Sequence, residues 1–278
     1  VEKKAMMSRI SRVLPCLLIL LCAAPPISAA DRLDPDLQQA IASPSRSEKF
    51  VARDSVRHPA EELAFFGLRG NQTVVEVAPG GGYWTEILAP YLATHGKLYV
   101  ATDFPGASAE GDQGLDRLHK RFAADPARFG KVVITGMGSQ PSDIAPPGSA
   151  DLVVTFRNLH NWMYDGSVEV VLADFYRALK PGGILGIEEH RARADKPQDP
   201  KAENGYVRED YAIALAKKAG FELVGKSEIN ANPKDTADWP KGVWTLPPVL
   251  ALGEVDRAKY LAIGEADNFV LKFKKPAQ

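Results

Sequence analysis

The stretch that most limits how this chain can fold runs Thr73-Val74-Val75-Glu76-Val77-Ala78-Pro79-Gly80-Gly81-Gly82-Tyr83. β-Branched residues dominate its first five positions, which favours a strand buried on both faces. Three glycines follow, then a helix-like segment from Tyr83 to Leu92 that Pro90 bends or ends. Strand, glycine turn and helix in that order begin a βαβ unit, and open parallel sheets bind ligands beyond the carboxyl ends of their strands. Glycines at such an end let the backbone approach a ligand with no Cβ in the way. Glu76 falls at that strand end, so the stretch reads as a nucleoside-type cofactor site.

The rest of the chain continues the alternation. Residues 31–67 read as a helical lead-in, with Asp34-Pro35 as a helix start, Ser43-Pro44 as a break and Gly67 and Gly70-Asn71 as punctuation. Strands are expected at 73–77, 97–102, 131–135, 151–156, 184–187, 221–229 and 268–273. Helices are expected at 83–92, 115–122, 168–179 and 208–219. Strands separated by helix-length segments imply right-handed βαβ connections and a parallel sheet. The exception is Asn230 to Asp267, an irregular insertion of roughly forty residues. Segments of that length inside a compact domain are usually functional, such as a lid, or disordered.

Residues 1–30 have the layout of an export signal. Lys3, Lys4, Arg9 and Arg12 precede an apolar run, Val13 to Ala24, and small residues follow at Ser28-Ala29-Ala30. The run is about 12 residues, short of the roughly 20 that span a bilayer. No stable membrane insertion is expected after cleavage, and the expected location is periplasmic or secreted. Both cysteines, Cys16 and Cys22, fall in this segment. The remainder therefore offers no cysteine nucleophile and no cysteine metal ligand. It carries 30 basic against 34 acidic residues, a net charge of −4. No long basic stripe is present, which argues against a nucleic-acid partner and for a small-molecule one.

Three motifs together, Glu76 to Gly82, Asp103 at the end of the second strand, and Leu179-Lys180-Pro181-Gly182-Gly183 before the fifth, resemble class I S-adenosylmethionine-dependent methyltransferases. The resemblance covers about residues 68–229 and the last strand. It implies a doubly wound, Rossmann-like α/β fold with a seven-stranded, mostly parallel sheet in the order 3-2-1-4-5-7-6, preceded here by the lead-in helices. Ala78 stands where the family has glycine, which the chain accommodates if Ala78 keeps an ordinary backbone geometry. A dinucleotide fingerprint fits less well, because Thr85 stands where its third small residue belongs. Arg57-His58-Pro59, Phe156 to Trp162, Glu189 to Ala192 and Ser227 to Asn230 also resemble a group of exported, uncharacterised predicted methyltransferases.

The resemblance implies S-adenosylmethionine as cofactor. Glu76, Ala78, Gly80, Gly82, Tyr83, Asp103 and Asn158 are the candidate residues for it. Asp103 would accept hydrogen bonds from both ribose hydroxyls, or is a helix cap. Glu76 would hold the amino group, and Tyr83 or Trp84 would face the sulfonium. On the acceptor side, Arg157 could grip a carboxylate, and His160 could take a proton, since histidine as a residue type titrates near neutrality. His190 ends the fifth strand beside the fourth and is the third candidate catalytic residue. Asn161, Trp162, Glu188, Tyr206 and Trp244 are candidate substrate contacts. No metal site is expected, although His160, His190 and Glu188 or Glu189 could bind a divalent ion. A lid from the 230–267 insertion would exclude water.

The expected activity is methylation of a small or medium-sized acceptor outside the cytoplasm. The rivals are a catalytically silent binding protein on the same fold and a metal-assisted enzyme using His160 and His190. The chain has no Gly-x-Ser-x-Gly elbow, which counts against a hydrolase.

Overall fold

The structure, a computed structural model, describes residues 1, 2 and 34–277. The export-signal reading falls almost wholly on residues outside that set. Among the described residues no helix is long and apolar enough to cross a membrane.

Seven strands form one sheet: β1 (Thr73–Val77), β2 (Lys97–Asp103), β3 (Val133–Met137), β4 (Ala150–Phe156), β5 (Leu179–His190), β6 (Glu222–Ser227) and β8 (Asn268–Lys274). A short β7 (Pro240–Val243) lies in the insertion. The sheet order is β3-β2-β1-β4-β5-β8-β6. Counting the sheet strands alone, that is the expected 3-2-1-4-5-7-6. β1 to β5 pair in parallel, and β8 runs antiparallel to both β5 and β6.

Strand alternation divides the core between the two sheet faces. Val75, Val77, Val153, Leu185 and Ile187 pack under α9 (Val168–Ala178) and α10 (Glu209–Lys218), together with Val171, Leu172, Phe175 and Ala216. Val74, Val100, Leu152 and Val154 face the other way, against Leu63 and Phe66 of α4 (Pro59–Phe66) and Ile87 and Leu88 of α5 (Thr85–Leu92). Each fully buried side chain of this kind stabilises the fold by about 1.5–3 kcal/mol. Because both faces are covered, the parallel strands read as continuous apolar runs.

Several boundaries moved for local reasons. β5 starts earlier than expected because Ala150 pairs with Leu179 and Leu152 with Ile184, leaving Lys180 to Gly183 as a bulge between the two pairings. α6 (Ala109–Ala124) starts earlier because Ser108 caps it, its Oγ accepting the Gly111 N–H at 2.9 Å. The 230–267 insertion is not simply irregular. It contains β7 and α11 (Arg257–Ile263), and Val243, Leu246, Tyr260 and Ala266 form a third apolar cluster around Tyr206.

Of the lead-in helices α1 (Pro35–Ile41), α2 (Glu48–Val51) and α3 (Asp54–Arg57), the last two are pinned to the glycine turn region. The Ser47 N–H and hydroxyl donate to buried Glu86, which Arg121 also reaches. Tyr83 donates its hydroxyl to Asp54 at 2.6 Å. These bonds place α2 and α3 over the carboxyl ends of β1 and β4.

Candidate functional site

Two cavities open above the carboxyl ends of the parallel strands and meet at one turn. The larger, about 680 Å³, is bordered by Thr102 and Asp103 of β2, the α6 cap Ser108 and Gly111 of α6, Met137 at the end of β3 and Gly138 beyond it, and Trp162 and Asp165 of α8 (Leu159–Asp165). The second, about 380 Å³, lies between the lead-in and the insertion. Ala78, Pro79, Gly80, Asn158 and Asn161 line both.

The turn that joins them is held in a conformation unusual for its residues. Gly80 and Gly82 have φ of +54° and +82°, and Ala78 has φ of +50°. Ala78 therefore adopts the left-handed geometry that a glycine takes without cost, not an ordinary one. For alanine that geometry costs about 1–2 kcal/mol. A Cβ on Gly80 would meet nothing within 4 Å, whereas one on Gly82 would lie 2.6 Å from Arg121 Nη1. Gly80 thus leaves open space at the cavities, and Gly82 makes room for Arg121, whose Nη1 donates to the Gly81 carbonyl at 2.7 Å. Gly82 lines neither cavity. The Asn158 amide braces the turn from behind, lying 3.4 and 3.3 Å from the carbonyls of Val77 and Ala78.

Asp103 ends β2 at the rim of the larger cavity and makes no side-chain hydrogen bond among the described residues. Burial and the nearby charge of Asp165 raise its pKa. Glu76 is fully buried and lines the smaller cavity close to the turn. Its Oε2 accepts from Thr85 at 2.7 Å, and its Oε1 has no partner. Burial pushes the carboxyl up to about 7, against the opposing Thr85 hydrogen bonds and the Arg121 charge. A buried acid with one vacant oxygen, an unpaired rim carboxylate and an open glycine turn together fit a ligand with an ammonium group at one end and a diol further along. Tyr83 borders the smaller cavity, but its hydroxyl is bound to Asp54 and its ring packs between Phe50 and Trp84.

The smaller cavity holds the groups able to move a proton. His160, 5% exposed, is in the first turn of α8. Its Nδ1 lies 2.9 Å from Glu189 Oε1, and its backbone N–H donates to Glu189 Oε2 at 3.1 Å. The acid faces an obligate backbone donor and the imidazole, so Nδ1 carries the hydrogen and Nε2 is left as the basic atom. Burial works to raise the Glu189 pKa, but the facing His160 wins and the net shift is downward. The His190 ring sits 5.5 Å from that of His160, with its Nδ1 2.7 Å from Asn268 Oδ1. Burial lowers the His190 pKa to about 3, so this ring is neutral.

His160, Glu189 and His190 have potential ligand atoms within 4.8 Å of one another. Both Glu189 oxygens, however, are taken by N–H donors, Oε1 also accepting from the His190 backbone at 2.8 Å. The carboxylate orients the histidine and has little left for a cation. Glu188 points to the opposite face of β5, as strand alternation requires. There it is buried, accepts from Asn230 at 3.0 Å and lies 3.6 Å from Arg157. It lines neither cavity. Tyr206 is also outside both, 1% exposed, with its hydroxyl on Asp235 in the insertion. Trp162 lines the larger cavity, and Arg157, Asn161 and Trp244 line the smaller.

Arg53, Arg57 and Glu265 also line the smaller cavity and carried no sequence signal for that position. Arg57 lies in the Arg57-His58-Pro59 motif, but nothing in the motif says that α3 folds over the strand ends. Glu189 was visible next to Glu188, and only the register of β5 shows which of them meets His160.

No family profile matches the chain. A segment of 162 residues, 57% of this chain, is 28% identical to the S-adenosyl-L-methionine-dependent Diels-Alderase iccD of Talaromyces variabilis, and it spans half of that relative's length. The chain superposes on a SAM dependent methyltransferase from Aquifex aeolicus with a TM-score of 0.53 and 16% identity, over 81% of this chain and 93% of the other. It also superposes on the [4+2]-cyclase SpnF with a TM-score of 0.55 and 18% identity, over 84% of each chain. The fold is that of the S-adenosylmethionine-dependent methyltransferases.

Proposed function

We propose that this chain is an S-adenosylmethionine-dependent methyltransferase acting on a small or medium-sized acceptor outside the cytoplasm. The observation that carries the reading is the junction of two cavities at one glycine turn, with unpaired carboxylate oxygens on Glu76 and Asp103 toward one ligand and His160 toward another. The cofactor, when bound, supplies an electrophilic methyl group. Asp103 would accept from its ribose hydroxyls and Glu76 Oε1 from its ammonium. Ala78 to Gly80 would let its backbone pass between the cavities. His160 Nε2 would take the proton released by the attacking atom, with Glu189 holding the ring in place. Phe156, Trp244 and Leu246 would keep the acceptor side dry. The extracytoplasmic location rests on the signal-like residues 1–30 alone.

A second reading is favoured by the two cyclases among the similar proteins. In it the same cavities would hold the same cofactor beside an unsaturated molecule, the cofactor would supply a positive charge next to the closing ring, and no methyl group would be transferred. The two readings share a binding step and differ in chemistry. Calorimetric titration with S-adenosylmethionine and S-adenosylhomocysteine tests the shared step. One-to-one binding that Asp103→Ala weakens about tenfold or more supports it. No heat with either compound removes both readings. Transfer of labelled methyl to a small-molecule extract then separates them.

A further inference from the structure

The wall of the smaller cavity between the lead-in and the insertion carries more positive charge than its partners neutralise. Arg53, Arg57 and Arg157 converge on one carboxylate, Glu265. Arg53 grips it with Nε and Nη2, each at 2.5 Å. Arg157 Nη1 is 3.3 Å away. Arg57 Nε is 3.6 Å away, beyond hydrogen-bond reach, and is buried without a partner. Arg57 is 5% exposed. Burial and the like charge of Arg157 lower its pKa to about 10. The other carboxylate near the group, Glu188, shares Asn230 with Glu62. Burial and the Glu188 charge hold the Glu62 carboxyl well above the usual range. Within ion-pair distance three guanidiniums share two carboxylates, Glu265 and Glu188, and the most buried of the three is the least well paired. Arginine forks suit a planar carboxylate, and an unpaired buried charge is costly.

We propose that the acceptor bound in this cavity carries a carboxylate, and that this group seats on Arg53, Arg57 and Arg157 where the Glu265 side chain now sits. The proposal rests on the reading of this cavity as the acceptor side. Glu265 belongs to the insertion that walls the cavity with Val243, Trp244, Leu246 and Pro247 to Val249. Its carboxylate occupies the position that a substrate carboxylate would take, and the exchange keeps the charge balance of the site. Phe50, Trp84, Phe156 and Trp244 supply aromatic lining, which suits a flat, unsaturated acid. The cofactor's methionine portion also carries a carboxylate. Glu76 would hold that portion's ammonium in this same cavity, so the aromatic lining beside the guanidiniums is what favours the acceptor as the source, and titration with the cofactor site filled separates the two.

Benzoate and benzamide are the probes, titrated calorimetrically into the full chain with and without saturating S-adenosylhomocysteine. Benzoate is expected to bind in the presence of S-adenosylhomocysteine about tenfold more tightly than benzamide, and Arg57→Met to remove that preference. Glu265→Gln is expected to strengthen benzoate binding about fivefold, a gain that a merely structural ion pair does not give. If Arg57→Met fails to fold, the probe comparison and Glu265→Gln decide. Equal binding of the two probes, or no gain in Glu265→Gln, overturns the proposal. Exclusion of benzoate by S-adenosylhomocysteine also overturns it, because the guanidiniums then serve the cofactor's own carboxylate. Benzoate binding without any S-adenosylhomocysteine binding supports the carboxylate seat and overturns the cofactor reading instead.

Discussion

His160 Nδ1 stands 2.9 Å from Glu189 Oε1, and the same carboxylate accepts the His160 backbone N–H. Ring and backbone are therefore held as one unit by a single fully buried acid from the neighbouring strand. Glu189 is a positioning residue: it acts on an acceptor only through His160. Replacing His160 with Asn should lower kcat by about 10²–10⁴. Glu189→Gln should lower kcat with little change in KM. The double variant should be no slower than His160→Asn alone, since the two residues share one task. Initial rates of methyl transfer at saturating cofactor check this, and fully additive losses would show that Glu189 acts independently.

Glu76 links stability to pH. Its folded-state carboxyl titrates at about 7 because it is buried, well above the roughly 4.3 of an unfolded glutamate. The folded chain keeps a proton that the unfolded chain has lost, so stability declines as pH rises from about 4.5 to about 7. The decline is on the order of 3 kcal/mol. Urea unfolding at pH 5 and pH 8 should show it, and Glu76→Gln should remove most of the difference.

The same group should report ligand binding. An ammonium against Glu76 Oε1 favours the ionised acid, so S-adenosylhomocysteine binding at about pH 6 should release close to one proton and binding at about pH 8.5 almost none. Titrations in buffers of different ionisation enthalpy measure the release, and Glu76→Gln should abolish it.

Two substitutions in the turn should have opposite signs. Ala78→Gly relieves left-handed strain of about 1–2 kcal/mol at an entropic cost of about 0.5–1 kcal/mol. It should leave the fold unchanged or up to about 1.5 kcal/mol more stable. Gly82→Ala meets both a φ of +82° and Arg121 Nη1 at 2.6 Å, and should lose about 1–3 kcal/mol. Paired denaturant melts test the contrast.

The insertion owes its shape to one acid. Asp235 accepts from the Tyr206 hydroxyl, Trp239 Nε1 and the backbone N–H groups of Ala237 and Asp267. Asp235→Ala should raise amide hydrogen exchange across 235–267 while leaving β1, β4 and β5 protected. Uniform loss of protection would mean that the insertion and the sheet unfold together.

The fold was legible because its signals are local. Apolar β-branched runs, glycine turns and the helical spacing of Val171, Leu172, Phe175 and Ala178 each speak for their own segment. Asp103 and Glu76 could be picked out because a strand end is itself a local feature. Arg53 and Glu265 could not, being 212 positions apart and joined only by the closed fold. Glu188 and Glu189 show a finer limit. Both are acids at one strand end, and a choice between them needs the pleat of β5, which the bulge at Lys180 to Gly183 shifts. Ala78 shows another: its backbone angle is imposed by the turn around it, not by alanine.

The most direct measurement is the crystal structure of the chain with S-adenosylhomocysteine. Both ribose hydroxyls are expected within about 3 Å of the Asp103 carboxylate and the amino group within about 3 Å of Glu76 Oε1. A complex with the sugar remote from Asp103, or with the ligand seated outside the two joined cavities, would rule out a cofactor site at this turn.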